Sequence, residues 1–358
     1  MTFQDYKNLK YFNNLDGLRG VSIFMVVLHH VTLFNNEYIK QFQLNGNKGV
    51  WLFFIISGFL ISTLLLREHD RKGKINLKNF LIRRGLRLYP LYYGMLSLYF
   101  LLLNVPYFVE KLKFAQKQAL FNDKLLSYIF YFSNFNSHSE SLAPFYFSWS
   151  LSAEEQFYLL FSIALYFLKT KVLVRFLPIL LILKLAFFYL PLNFTPFGKS
   201  MLLPLDLGIM FGVSLGFILH YERSWKIFSG VLKSKFLFIL SVVGAFYILF
   251  TKEITFPQET FFFLLILFMT YIFGHLLLSG RNSFFESKLV NYIGRISYGI
   301  YMYNLLVIRV VQKLMSKLGI VSGLVELVLT CILTFMIAHF SFKYFEAYFN
   351  NMKSRFSA

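Results

Sequence analysis

The chain has 358 residues, of which 57% are hydrophobic, 20% aromatic and only 15% charged. A soluble domain carries about 25% charged residues, so the composition excludes a soluble fold and predicts an integral membrane protein. The formal charge of +19 does not imply nucleic acid, because the cations lie in the gaps between apolar runs. The single cysteine, Cys331, excludes an internal disulfide and a cysteine metal site.

The N-terminal "MTFQDYKNLKYFNN" is polar and lacks a signal-peptide pattern, which predicts that the first span is retained. Ten apolar runs follow, at 16–34, 49–66, 88–104, 148–168, 173–192, 201–219, 234–251, 260–278, 292–310 and 320–340. None alternates as a strand does. The reading is an all-α polytopic membrane helix bundle of about ten transmembrane helices, one domain over 1–358. The widest gap, 105–147, holds "LLSYIFYF" at 125–132, too short to span and predicted to lie at the interface or re-enter. With the N-terminus taken as inside, the alternate gaps that fall inside (1–16, 67–87, 169–175, 220–235, 279–295 and 343–358) outnumber the outside gaps in Lys and Arg by about two to one, which predicts both termini cytoplasmic.

The first run, "LDGLRGVSIFMVVLHH", carries Arg19 and His30. Eleven helical residues close to within about 20° of three turns, so both side chains share one face about 16 Å apart. Ionisable groups inside a span mark function, and histidine suits general base work near neutral pH. The alternative is that His29 and His30 only hydrogen-bond within the bundle. In "REHDRKGKINLKNFLIRRGLRLYP", residues 67–90, Arg83, Arg84 and Arg87 share a helix face at the mouth of the third run. Arginine forks suit phosphate, although such a cluster also anchors anionic lipid. In "FSWSLSAEEQFYLL", residues 147–160, Glu154 and Glu155 enter a span behind Trp149. Glu154 then lies about 20 Å above the inner face, the depth expected of His30. A base and an orienter could pair there, or the glutamates could simply neutralise Arg19, Lys184 or His30. In "GVWLFFIISGFLI", Ser57 and Gly58 predict close helix packing. In "IGRISYGIYMYNLL", Tyr298, Tyr301 and Asn304 could line one wall, or pack between helices. The other histidines (His69, His138, His220, His275 and His339) have no ligand spacing, and no metal site is expected.

Together, "LDGLRG" followed by His30, "GVWLFFIISGFLI", "FLIRRGLRLYPLYY" and "WSLSAEEQFYLL" resemble the membrane acyltransferase-3 family. "IGRISYGIYMYN" and Glu346 in "YFEAYF" match more loosely. The resemblance implies ten spans in the bacterial cytoplasmic (inner) membrane. It implies an O-acyltransferase, most often O-acetyl, that takes the acyl group from cytoplasmic acyl-CoA (acetyl-CoA) to a hydroxyl of an envelope polysaccharide or lipid-linked glycan. The family's arginine–histidine motif falls on Arg19 and His30, its Arg-x-x-Arg on Arg84 and Arg87, and its glutamate on Glu154. It also implies a stand-alone member, without the hydrolase-like C-terminal domain some members carry. Two positions depart from the family pattern: Trp51, where an acidic residue is usual, and Asn304, where a histidine is frequent. The expected site is therefore catalytic His30 and Glu154 with Arg19, and Arg83, Arg84 and Arg87 on the donor's phosphates. The competing reading is a transporter of a lipid-linked saccharide or an anion, against which no pair of broken helices repeats in two halves.

Overall fold

The computed structural model describes residues 1–12, 14–32, 34–105, 115–136, 143–168, 170–189, 206–251, 258–280 and 282–356. It is 85% helical, with no strand among the described residues. Each apolar run lies on a helix: α1 (Leu15–His30), α2 (Gly49–Lys72), α3 (Leu77–Asn104), α4 (Trp149–Phe167), α5 (Thr170–Tyr189), α6 (Leu207–His220), α7 (Lys235–Phe250), α8 (Gln258–Leu278), α9 (Ser297–Lys317) and α10 (Gly323–Phe340). The end of the run 173–192 and the start of the run 201–219 lie outside the described residues, as does His138.

The helices differ in length and apolar character. Among the described residues four helices are long and apolar enough to cross a membrane: Glu37–Lys72, Leu77–Asn104, Glu259–Leu278 and Gly323–Phe356. The amphipathic helix Glu222–Leu232 and α7 make a fifth if taken together, bent by 69°. α1 has 16 residues and α6 has 14, against about 20 for a straight crossing.

The chain divides into two compact units. The first comprises Met1–Leu66 and Leu207–Phe345, the second Arg67–Asp206 and Glu346–Ala358. In the first, the short helix Lys288–Arg295 lies along α1, α9 packs on α1 and α10, and α8 packs on α6 and α7. Small residues set these approaches. Gly58 of α2 faces the Ile209 carbonyl of α6, and Gly212 of α6 faces the Ile55 carbonyl of α2, the close packing expected at Ser57 and Gly58. In the second unit, α3 packs on α4 and on the C-terminal turn Lys353–Phe356, and α4 on α5. The start of α3 is capped by Asn76, whose Oδ1 accepts from the Asn79 N–H at 3.0 Å.

Candidate functional site

α1 begins in a closed polar cluster. Asn14, at the left-handed φ of 63° that asparagine tolerates, donates from Nδ2 to the Leu276 carbonyl at 2.9 Å and the Gly280 carbonyl at 2.7 Å. Its Oδ1 accepts from the Asn282 N–H at 3.1 Å. Asp16 is buried and takes three donors: Tyr11 Oη at 2.5 Å, Arg19 Nη1 at 3.1 Å and Arg295 Nε at 3.5 Å. A buried carboxylate needs such company. The cluster depends on the near-contact of Lys288–Arg295 with α1. A Cβ on Gly294 would overlap the Asp16 carbonyl, and one on Gly20 would stand 2.9 Å from the Val290 carbonyl. Gly20 of "LDGLRG" thus seats that helix, Gly17 abuts the Phe285 backbone just before it, and Arg19 is held by Asp16 beside Arg295.

The other end of α1 is clasped from two sides. Gln43, fully buried, donates from Nε2 to the Val31 carbonyl at 2.8 Å and the Thr32 carbonyl at 3.1 Å, and its Oε1 accepts from the Phe34 N–H at 3.1 Å. Its own carbonyl lies 3.0 Å from His29 Nδ1. Opposite, Glu326 in the first turn of α10 accepts from the Thr32 N–H at 3.1 Å, the Thr32 hydroxyl at 2.5 Å and Gln312 Nε2 at 2.9 Å. Leu28, Val31 and Ile308 pack beneath. His30, half-buried, meets the His29 ring edge-on at 5.0 Å. Neither of its ring nitrogens has a hydrogen-bond partner among the described residues. His29 and Arg309 are the groups whose charge acts on it. A fixed imidazole with an open nitrogen can take a proton from a hydroxyl.

In the second unit the arginine row divides. Arg83 is committed: its Nη1 donates to the Phe356 carbonyl at 2.6 Å and its Nη2 lies 3.3 Å from Glu68 Oε2. Arg84 stacks over the Tyr158 ring at 4.3 Å, and its Nε is buried without a hydrogen-bond partner among the described residues. Glu155 accepts from the Tyr89 hydroxyl at 3.1 Å through Oε2, while its Oε1 is buried without a hydrogen-bond partner among the described residues. Arg84 acts on Glu155, and Arg84 and Arg87 both act on Lys353, whose ammonium contacts Asn350 Oδ1. Glu154 is half-buried and engaged. Its expected pairing with His30 takes one residue from each unit and stands as an expectation. A guanidinium has the donors that phosphate oxygens take, and the Nε of Arg84 is itself buried.

Asn304, buried in α9, turns back on its own helix, with Nδ2 donating to the Ile300 and Tyr301 carbonyls at 3.2 and 2.5 Å. His275 and His339 are placed by structural contacts, 2.8 Å from the Leu232 carbonyl and 2.8 Å from the Tyr292 hydroxyl. The sequence did not single out Gln43 or Glu326. Glu326 sits four residues after the cap Ser322 and reads as an ordinary first-turn acid; its reach to Thr32 is a tertiary fact. Lys353 could have been marked as one more cation beyond the last span, but nothing local ties it to α3.

The acyltransferase-3 family, described as an acyltransferase domain, matches residues 12–340. The chain belongs to this family and is a multi-pass, all-helical membrane protein. It is 28% identical over 367 residues to the peptidoglycan O-acetyltransferase OatA of Listeria monocytogenes, covering 94% of this chain and 55% of that one. It is 34% identical over 180 residues to the O-acetyltransferase OatA of Staphylococcus aureus, covering 47% of this chain and 28% of that one. The chain spans between about a quarter and about half the length of the curated relatives it matches. No solved structure matches it.

Proposed function

We propose that this chain is a membrane O-acetyltransferase that moves an acetyl group from cytoplasmic acetyl-CoA to a hydroxyl of an envelope polysaccharide or lipid-linked glycan. The observation that carries this reading is His30, held between two polar clasps with its ring nitrogens open, in a chain matched by the acyltransferase family along most of its length. The names of the two relatives, both O-acetyltransferases, support the group transferred, and the Listeria name supports a glycan acceptor.

In this reading His30 takes the proton of the acceptor hydroxyl. The oxygen attacks the thioester carbonyl, the C–S bond breaks, and the proton passes to the departing thiolate. Arg84 and Arg87 bind the donor's phosphates, with Arg83 bracing the row through Glu68 and Phe356. Arg19 stabilises α1 at its cytoplasmic mouth, and Glu154 is a carboxylate of the transfer step. About ten spans in one domain, with both termini in the cytoplasm of a bacterium and the chain in its cytoplasmic membrane, complete the proposal.

The test is reconstitution into liposomes with radiolabelled acetyl-CoA inside and a glycan acceptor outside. Label should appear on the glycan with the wild type and vanish with His30→Ala that inserts normally. Equal labelling by the two proteins removes the proposal.

A further inference from the structure

The turn Asn45–Lys48 lies directly on α1. A Cβ on Gly46 would stand 3.0 Å from the His29 Cβ, and one on Gly49 3.1 Å from the Met25 Cβ, so the turn has no room to drift from the histidine end of the helix. It presents Lys48 between two aromatic faces, with Nζ 4.5 Å from the Trp51 centroid and 4.1 Å from the Phe262 centroid. The two rings meet edge to face at 4.7 Å. Cation–π contact steadies an ammonium but takes none of its hydrogen bonds. Among the described residues Lys48 has neither an ion pair nor a hydrogen bond.

Beside it is a cavity of about 60 Å³, lined by Gln41, Asn45, Lys48 and Thr251 with Phe261 and Phe262 below. Thr251 donates to the Tyr247 carbonyl at 2.6 Å and Asn45 to the Leu249 carbonyl at 3.0 Å, so these two are fixed. The Gln41 amide has no partner among the described residues. The space is too small for a sugar ring and fits only one edge of a ligand, with room for about two waters. Both rings already face the ammonium, so a ligand meets the cation and the amide rather than stacking. Lys48 is also near enough for its charge to act on His29, which adjoins His30.

We propose that Lys48 and Gln41 form a subsite for the acceptor, holding the oxygen-rich edge of one glycan unit (a hydroxyl or carboxylate) while a neighbouring hydroxyl is presented to His30. This rests on the acetyl-transfer reading above and adds to it the residue that selects the acceptor. Trp51 belongs to this subsite: its indole steadies the ammonium without neutralising it, which leaves the charge for the ligand.

The test uses the full chain in liposomes, with the β-1,4-linked tetramer of N-acetylglucosamine as acceptor probe. Lys48→Met keeps the apolar stem against Trp51 and Phe262 and removes only the ammonium. Loss of one charged hydrogen bond predicts a rise of about tenfold in acceptor KM, with donor KM within twofold. Lys48→Arg should return the acceptor KM to within threefold of wild type. An unchanged acceptor KM in Lys48→Met, or a rise confined to donor KM, overturns the subsite. Calorimetry of tetramer binding to the detergent-solubilised chain separates this from the parent reading. Binding about tenfold weaker in Lys48→Met, without acetyl transfer by either protein, keeps the subsite and removes the transferase. Equal binding by both proteins removes the subsite.

Discussion

The two ends of α1 use ionisable side chains in opposite ways. At its start, Asp16 collects Tyr11, Arg19 and Arg295, so every charge is answered. At its finish, Gln43 and Glu326 satisfy the backbone around Thr32 while His30 keeps its nitrogens open. The same contrast appears one residue apart in α3, where Arg83 is tied to Glu68 and Phe356 and Arg84 leaves Nε unpartnered. The paired groups hold the fold, and His30 and Arg84 are the positions to which the proposal gives a ligand.

Substitutions at the open and the paired positions should therefore separate activity from stability. His30→Ala should lower kcat by about 10²- to 10⁴-fold with thermal unfolding in detergent unchanged; a folded variant with wild-type turnover breaks the contrast at its strongest point. Arg84→Gln should raise donor KM by about tenfold to a hundredfold, measured by initial rates against acetyl-CoA. Arg83→Gln, by contrast, should act mainly on stability, because it leaves Glu68 buried without its cation; a cost of about 3 kcal/mol is expected, read by chemical denaturation. If Arg83→Gln and Arg84→Gln give the same KM shift, the division of the row is wrong. Gly294→Ala should cost about 1–3 kcal/mol through overpacking against Asp16, seen as a lower unfolding midpoint. The smallest effect is expected of Glu326→Gln, which keeps one acceptor for Thr32 and loses the other, at about 1 kcal/mol and a few-fold in kcat.

Much of this was legible in the order of residues. The ten apolar runs fall on ten helices because hydrophobic length is a local property. The i,i+3 pair Asp16 and Arg19, and the shared face of Arg83, Arg84 and Arg87, follow from helical geometry alone. Partners distant in the chain did not follow. Arg295 reaches Asp16, Glu326 reaches Thr32 and Asn14 reaches Leu276 across hundreds of residues, and no periodicity reports such contacts. Helix ends did not follow either. Val31 leaves α1 in extended geometry under the Gln43 clasp, so the helix stops at 16 residues although apolar sequence continues. Similarly, the bend between Leu232 and Lys235 comes from the Ser234 cap, which starts a new helix by accepting from the Leu237 N–H at 3.3 Å.

The glycine seat at Gly17, Gly20 and Gly294 has a consequence for how this chain tolerates change. The nearest atom across from each is a backbone carbonyl oxygen. At the three glycines a single methyl group is already too much. The placement of His30 is therefore guarded at the far end of its own helix by three positions that carry no functional group at all.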